Sequence, residues 1–446
     1  MNRCFKLIIL HLYILIFTSC SFVNTGGVWI DKSKEFEVEK SNSSTQIFSE
    51  KEIFRKQVNN KTNLVLPSSL TNSSWEEENF FYSNNTPHFN YENKKNLVLK
   101  SKKIGKNKFK LFNLNFEPLF DDGNIFFYDT SGNVYKYSID DRKLIWRFNF
   151  YKKKYKRIPI QINLKITSDS LTVVDNLGYA YQLDKKMGKI IWAKNYGIPF
   201  RSNIKASSGN IFLLSQDNKF LSISETSGVK LGDLLTKTSF LKTDKKNSIS
   251  LDKNKKNLYF INSSGELYSI NIEKNNINWI FNSNISSKKD SDLFFAAPLV
   301  YKDDELIVST SISTYSLNAI TGFLNWELPF STSVRPVLTQ NYIFLVSQDG
   351  FILNLDRQNG KVIWSKNIFK NEKIIRADKT GNIVSMLIAS NQIFITTAKG
   401  YFIFIDYNSG EILEYTKVSK GFFSKPIIAD NKIYIIDRHM RILGFN

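Results

Sequence analysis

Short stretches in which apolar and polar residues alternate make up most of the chain after residue 94, a pattern typical of β-strands. Residues 210–214 followed by 220–224, and 342–346 followed by 351–355, are two such pairs, separated by the turn-forming sequences SQDN and SQDG. We find no convincing amphipathic helix in this region. The pattern predicts an all-β protein of short strands joined by tight turns.

One sequence motif recurs seven times between Gly132 and Glu414. It consists of an alternating strand, a small polar residue, a turn residue four positions later and usually a Trp four positions beyond that. The clearest copies read GYAYQLDKKMGKIIW and GFILNLDRQNGKVIW. The small polar residues are Ser138, Asp184, Ser224, Asn271, Asn318, Asp356 and Asp406. The turn residues are Arg142, Gly188, Gly228, Asn275, Gly322, Gly360 and Gly410. The last position holds Trp146, Trp192, Gly232, Trp279, Trp326, Trp364 and Glu414.

Each repeat position has a physical interpretation. Gly, and less readily Asn, accepts the positive φ that such a turn needs, so Arg142 departs from the pattern. The recurrent aspartates (Asp184, Asp356 and Asp406) are expected to cap turns by accepting hydrogen bonds from nearby backbone. We expect the tryptophans to lie on an outer strand and to fill the wedge between neighbouring sheets, a structural role rather than a ligand cage.

The copies lie 38 to 50 residues apart, a spacing typical of four-stranded propeller blades. An eighth copy, SKPIIADNKIYIIDRHMRILGFN, ends at Asn446 before its outermost strand. Because an open sheet edge invites pairing with another chain, we expect residues 96–104 (NLVLKSKKI) to supply that strand. The sequence therefore predicts an eight-bladed β-propeller of four-stranded antiparallel blades over residues 94–446, with its last blade closed by an N-terminal strand.

The amino terminus predicts export. Arg3 and Lys6 precede an apolar run that is too short to span a bilayer and that is followed by Thr-Ser-Cys20, the pattern of a signal peptide over residues 1–19 cleaved before a lipidated cysteine. Acyl chains such as palmitate on Cys20 would hold the protein at a membrane. The alternative is an ordinary cleaved signal in which Cys20 is incidental. Cys4 would leave with the signal, so the mature chain would carry no thiol outside the anchor.

Residues 20–93 are rich in Asn and Ser and show no sustained apolar period, which predicts a lipidated flexible tether. Two apolar interruptions, at residues 26–30 and 80–82, are either docking segments or unstructured sequence. The formal net charge of +20 raises nucleic acid or anionic lipid as partners. Since abundant Lys and Asn with scarce Gly and Pro are expected of an AT-rich genome, we predict no nucleic-acid partner, and anionic headgroups are the best functional alternative to plain solvated loops.

The repeat resembles those of pyrroloquinoline-quinone-type propellers, and with the lipidated start it resembles the BamB family, propeller lipoproteins of the outer-membrane β-barrel assembly machinery. The resemblance implies a non-catalytic scaffold at the periplasmic face of the outer membrane, a monomer within a larger complex. Its implied partner is the periplasmic part of the central barrel-inserting subunit. In that family an apolar residue and an Arg in an interblade loop contribute to the contact, and the stretch GIPFRS places Phe200 and Arg201 in the corresponding loop.

Two other functions stay open. A quinone-dependent dehydrogenase would bind its cofactor on the ring axis beside calcium and stack it on a disulfide of adjacent cysteines, which this chain lacks. The three histidines (His11, His88 and His439) are too dispersed in the sequence for a cluster, so the sequence predicts no cofactor, no metal and no enzyme activity. A module that binds glycans or cell wall is the second alternative, because aromatic residues make up 14% of the chain.

Overall fold

The computed structural model describes residues 53–109, 116–238, 246–283, 295–332, 334–370 and 375–446. Its strands form eight sheets, and each contains four antiparallel strands. In seven sheets these four strands are consecutive in the chain. In five of the eight neighbouring pairs of sheets the first strands pack closely against each other, so the first strands surround a common axis and the fourth strands lie outermost. The predicted eight-bladed β-propeller is confirmed.

Two strands precede the first blade, β1 (His88–Phe89) and β2 (Leu97–Lys100). Blades 1 and 2 contain, from the axis outward, β3 (Leu119–Asp121), β4 (Asn124–Tyr128), β5 (Asn133–Ser138) and β6 (Lys143–Asn149), then β7 (Ile162–Ile166), β8 (Ser170–Asp175), β9 (Tyr179–Asp184) and β10 (Ile190–Asn195). Blades 3 and 4 contain β11 (Lys205–Ser207), β12 (Asn210–Leu214), β13 (Lys219–Ser224) and β14 (Lys230–Leu235), then β15 (Ile249–Leu251), β16 (Asn257–Ile261), β17 (Glu266–Asn271) and β18 (Asn276–Asn282).

Blades 5 and 6 contain β19 (Val300–Lys302), β20 (Glu305–Ser309), β21 (Thr314–Asn318) and β22 (Leu324–Leu328), then β23 (Val337–Leu338), β24 (Tyr342–Val346), β25 (Phe351–Asp356) and β26 (Val362–Asn367). Blade 7 contains β27 (Ile383–Ala389), β28 (Gln392–Thr397), β29 (Tyr401–Asp406) and β30 (Ile412–Lys417), and β1 is added in parallel to its inner strand. Helical structure in the described residues is limited to a 3-10 turn (Lys153–Tyr155) and α1 (Ala377–Thr380).

The ring closes by overlap of the two ends of the repeat region. Blade 8 consists of β31 (Ile427–Ala429), β32 (Lys432–Ile436), β33 (Ile442–Phe445) and, outermost, β2 from the N-terminal side. Leu97 pairs with Phe445 and Lys100 pairs with Leu443. The predicted closure by residues 96–104 is thereby confirmed, with four residues of that stretch in the strand.

All eight blades run in the same direction, so their connections fall on two faces. The turn between the second and third strands, and the loop to the next blade, lie on what we call the interblade face. The turn between the first and second strands, and the repeat turn between the third and fourth, lie on the opposite side, which we call the turn face.

The repeat tryptophans join neighbouring blades. Each indole Nε1 donates a hydrogen bond, 2.9 to 3.2 Å long, to a carbonyl of the repeat turn in the next blade; the pairs are Trp146–Lys185, Trp192–Glu225, Trp279–Ala319, Trp326–Arg357 and Trp364–Tyr407. The same ring covers the repeat glycine of that turn. A Cβ added to the glycine would lie 2.4 to 2.6 Å from the nearest ring atom, closer than carbon atoms can approach. The tryptophans therefore have the predicted wedge position, and their partner is the glycine of the following blade.

The exceptions to the repeat follow from this contact. Blade 3 has Gly232 in place of Trp, and the next turn has Asn275 in place of Gly. Blade 8, which precedes blade 1 around the ring, has no Trp on β2, and the blade 1 turn has Arg142. All seven turn residues have positive φ, from 49° to 76°. The backbone thus tolerates Asn or Arg, and it is the neighbouring indole ring that requires Gly.

A bulge precedes the Trp position in each of these seven blades. The extra residues are Ile145, Ile191, Leu231, Asn278, Asn325, Ile363 and Leu413. A bulge re-aims the side chains of a strand and increases its twist. We infer that this bulge turns the tryptophan towards the next blade.

Residues 53–93 differ from the tether that the sequence predicts. They belong to the same compact unit as the propeller, and Trp75, Phe89 and Tyr91 within them are buried. The flexible-tether prediction is therefore wrong for residues 53–93. The predicted signal peptide, Cys20 and residues 20–52 lie outside the described residues.

Candidate functional site

One N-terminal segment, residues 72–92, makes a complete turn around the inside of the ring; we call it the strap. It forms a backbone, side-chain or bridge contact with every blade in order, beginning and ending at blade 8. The contacts are Asn72–Asp430, Trp75–Phe120, Glu77–Lys165, Phe81–Lys205, Tyr82–Leu251, Ser83–Tyr301, Asn85–Leu338, Phe89–Ser390 and Glu92–Asn431.

The strap lies where the first strands of the blades end, and this places it at the turn-face mouth of the axial channel. Its aromatic side chains pack against one another at this mouth. Trp75 and Phe89 are fully buried, and their rings stack with centroids 5.7 Å apart. Phe80 contacts both of them edge-on. The turn-face mouth of the channel is therefore occupied by the protein's own chain.

Glu77 binds the strap to two blades through buried charges. Its carboxylate pairs with Lys165 of β7 and with Lys205 of β11, the latter at 2.6 Å. Burial alone would raise the pKa of Glu77, but the two lysines outweigh it and hold that pKa below its usual value. Burial lowers the pKa of Lys205 to about 8, against the opposing effect of Glu77. Such a triad is costly to break, because loss of one partner leaves the others buried and unpaired.

Further polar contacts hold the strap from the other side. Glu117, just before β3, accepts hydrogen bonds from Trp75 Nε1 (2.9 Å) and Asn79 N (2.8 Å), and it lies 3.2 Å from the guanidinium of Arg335. Glu78 pairs with Lys246 at 3.0 Å. These carboxylates are held in hydrogen bonds and ion pairs with structural partners. The arrangement is suited to fixing the strap, because Glu77, Glu78 and Glu117 are all engaged in ion pairs.

The axial residues do not fit the quinone and calcium that related propeller enzymes hold there. Within the described residues, no group of three or more His, Cys, Asp or Glu is arranged to hold a metal ion. The only two cysteines, Cys4 and Cys20, are not adjacent in the sequence. Trp75 and the ion pairs of Glu77 occupy the channel mouth itself. We therefore derive no chemical step through such a cofactor.

The predicted partner loop lies on the interblade face between blades 2 and 3. Phe200 is only 2% exposed and packs among apolar residues of both blades. Arg201 is partly exposed, and its Nη1 donates a hydrogen bond to Gln161 (3.2 Å). A side chain buried like that of Phe200 is not presented to a partner, so the partner-binding prediction for this loop depends on Arg201.

The recurrent aspartates cap their turns as expected. Asp356 accepts hydrogen bonds from two backbone N–H groups of its own turn (3.0 and 3.1 Å), and Asp406 does the same (2.7 and 3.2 Å). Asp184 accepts one from Met187. A second set on the interblade face was missed: Asp129, for example, caps the turn after β4 and also accepts from the Tyr135 hydroxyl (2.8 Å).

The strap was also missed from the sequence. The sequence feature that pointed to it was the apolar interruption at residues 80–82. These residues line a hollow of about 900 Å³ on the turn face together with residues such as Tyr301 and Asp303. Phe81 is half exposed there.

Among the described residues, no helix is long and apolar enough to cross a membrane.

Comparison with known proteins identifies a family for the repeat region. Residues 130–366 match the family model described as outer membrane protein assembly factor BamB. Among curated proteins of that name, the one from Shewanella oneidensis is 29% identical over 142 residues, covering 32% of this chain and 34% of the relative. The one from Yersinia pestis is 20% identical over 224 residues, covering 41% and 57%. The chain thus spans between a third and three fifths of the relatives' length in these matches.

Solved structures agree on the fold. BamB from Moraxella catarrhalis matches with a TM-score of 0.63 at 13% identity, over 79% of this chain and 99% of that one. A europium-containing methanol dehydrogenase matches with a TM-score of 0.63 at 11% identity, over 81% and 89%. At such identities these likenesses show the propeller alone, and enzymes share it. The family assignment comes from the sequence match over more than half of the residues: this chain belongs to the family of the outer membrane protein assembly factor BamB.

Proposed function

We propose that this protein is a non-catalytic scaffold that assists the assembly of β-barrel proteins into the outer membrane. It would be held at the periplasmic face by lipid on Cys20 and would bind the periplasmic part of the central barrel-inserting subunit. Family membership supports the general role, and the strap supports the non-catalytic one. Because residues 72–92 occupy the turn-face mouth of the channel where a propeller enzyme would bind its cofactor, the two faces and the rim are the surfaces left for binding.

The partner surface can be tested through Arg201. Arg201→Glu reverses a charge on the interblade loop, and we expect it to reduce co-purification of the central subunit from detergent-solubilised outer membranes. Lys361→Glu is the matched control, since it makes the same charge change on an exposed residue of the turn face. If both variants recover the subunit as well as the unmodified protein does, the loop is not the contact.

Lipidation is tested separately. Cys20→Ser should abolish incorporation of labelled palmitate and release the protein from the membrane fraction, while leaving its fold unchanged. Labelling that persists in this variant would show that Cys20 is not the anchor.

The hollow beside Phe81 gives the glycan alternative a specific surface, because an exposed aromatic ring and acidic side chains line it. Binding of solubilised cell-wall glycan to the purified protein, lost in Phe81→Ala, would favour that alternative. Turnover of an alcohol or sugar after addition of quinone and calcium would favour a dehydrogenase. We expect neither result.

A further inference from the structure

Four neighbouring loops on the interblade face carry an unusual excess of positive charge; we call them the basic sector. They are residues 101–109, 151–157, 417–421 and 438–441, and they belong to blades 7, 8, 1 and 2. Together they contain thirteen Lys and Arg side chains and no Asp or Glu. Most of these cations are exposed.

Direct contacts make the basic sector continuous. The amide of Ile104 donates to the Met440 carbonyl (3.0 Å), which joins the first and last of these loops. The ammonium of Lys108 donates to the Lys156 carbonyl (2.7 Å), which joins the first and second. A groove of about 620 Å³, lined mainly by basic side chains such as Lys103 and Lys420, joins the first, third and fourth loops.

The lysines of the basic sector are not neutralised locally. Within the part of the chain that the structure describes, none of the ten lysines in the basic sector forms an ion pair with a carboxylate. Arg441 pairs with the buried Asp437. Uncompensated like charges on one face create a potential that attracts anionic partners.

Base composition alone does not explain this distribution. A bias towards lysine codons explains lysine on both faces, but it gives no reason for neighbouring loops without any acidic residue. Elsewhere on the propeller lysines and carboxylates share the same turns: Lys186 lies in the repeat turn of Asp184, and Lys302 pairs with Asp303 at 3.2 Å. The four loops of the basic sector contain no carboxylate, and this local excess of positive charge is what an anion-binding surface requires.

We propose that the basic sector docks on the headgroups of anionic lipids. Ten of its thirteen cations are lysines, whose compact, hydrated ammonium suits diffuse attraction to headgroups, whereas bidentate recognition of protein carboxylates favours Arg. Apolar side chains interrupt the charges, and Ile158 at the edge of the second loop is 41% exposed.

The inference rests on the membrane location in the proposed function, and it adds an orientation. With the basic sector against the lipid, blades 7, 8, 1 and 2 lie nearest the bilayer and the turn face points away from it. The lipid anchor would then limit the distance between the propeller and the membrane, while the basic sector would set the tilt of the propeller relative to the membrane.

Vesicle co-sedimentation tests the proposal. The probe is the mature chain, residues 20–446, with Cys20→Ser so that no acyl chain contributes. Vesicles of phosphatidylcholine are compared with vesicles that also contain phosphatidylglycerol, at low and at high salt. We expect binding only to the anionic vesicles, and loss of that binding at high salt.

Two triple variants of equal charge change locate the surface. Lys153→Glu, Lys154→Glu and Lys156→Glu lie in the basic sector, and we expect them to weaken vesicle binding more than about tenfold. The control variant, Lys186→Glu, Lys189→Glu and Lys361→Glu, lies on the turn face and should weaken it less than about threefold. Near-UV circular dichroism checks that both variants keep the fold.

Equal binding to neutral and anionic vesicles would overturn the proposal, and so would equal loss in the two triple variants. If the basic-sector variant instead binds vesicles normally but loses an acidic protein partner, the surface serves that protein and the lipid proposal is wrong. Co-purification of the barrel-assembly subunit, measured on the same variants, tells the two proposals apart. Failed vesicle binding with intact co-purification would leave the proposed function standing.

Discussion

Gly360→Ala is expected to destabilise the propeller because a ring of the preceding blade covers this glycine. The added Cβ would lie 2.5 Å from Cδ2 of Trp326. Gly360 also has a φ of 69°, where a side chain costs about 1–2 kcal/mol. Overpacking in a rigid contact adds about 1–3 kcal/mol. The free energy of unfolding should therefore fall by about 2–5 kcal/mol in total.

Two controls separate the clash from the backbone strain. Asn275→Ala places the same side chain at the same repeat position, with a φ of 49°, but Gly232 provides no ring above it, so we expect a loss of about 1 kcal/mol. In a Trp326→Ala background, Gly360→Ala should likewise cost only its backbone strain. Urea titrations of the purified proteins, followed by near-UV circular dichroism, give the midpoints and slopes. Equal losses for Gly360→Ala and Asn275→Ala, or a loss that does not depend on Trp326, would refute the interblade contact as the reason why Gly and Trp recur together in the repeat.

Three further changes test the strap, the closure and the predicted loop. Glu77→Gln should lower the free energy of unfolding by about 3–5 kcal/mol at neutral pH, since it leaves buried lysines unpaired. Because the pKa of Glu77 is lowered from 4.5, its stabilisation of the fold is present above pH 4.5 and is lost as the pH falls through the lowered value. The urea midpoints of the two proteins should therefore converge in acid. Leu99→Asp should open blade 8 and increase proteolysis, whereas Leu97→Asp on the same strand, at a side chain 49% exposed, should not. Phe200→Ala should lower the free energy of unfolding by about 3–5 kcal/mol, and a variant that unfolds at the unmodified midpoint would contradict its burial.

The ring could be predicted from the sequence because each copy of the repeat has the same physical requirements. Seven blades share a turn of positive φ and a capping side chain, and five of them carry a tryptophan on the outer strand, so the spacing was readable at seven positions. It also predicted closure, since a copy without its fourth strand must find one elsewhere. The partner of each Trp could have been inferred as well: the turn after Gly232 is Asn275 rather than Gly, and a blade without a ring is followed by a turn without a glycine.

The strap was not predictable by the same means. Apart from the two residues of β1, its residues make single contacts with successive blades instead of pairing along one strand, so they show neither the period of two nor the period of 3.6. Its Asn and Glu side chains resemble those of a disordered linker until their partners are known. Glu77 is stabilised by Lys165 and Lys205, which lie 88 and 128 residues away, and no local pattern reveals such a pairing.

The N-terminal segment closes the molecule twice, and this determines where the folded unit begins. The strap ties together the inner strands of all eight blades, and a few residues later β2 completes the outer edge of blade 8. A boundary at residue 94, where the repeat suggests one, would keep the edge strand but would remove the strap. Lys165 and Lys205 would then lose their shared carboxylate, and the channel would open to water beside Phe120 and Tyr301. The folded unit therefore begins before the strap, and residues 53–93 are part of the scaffold rather than of its tether.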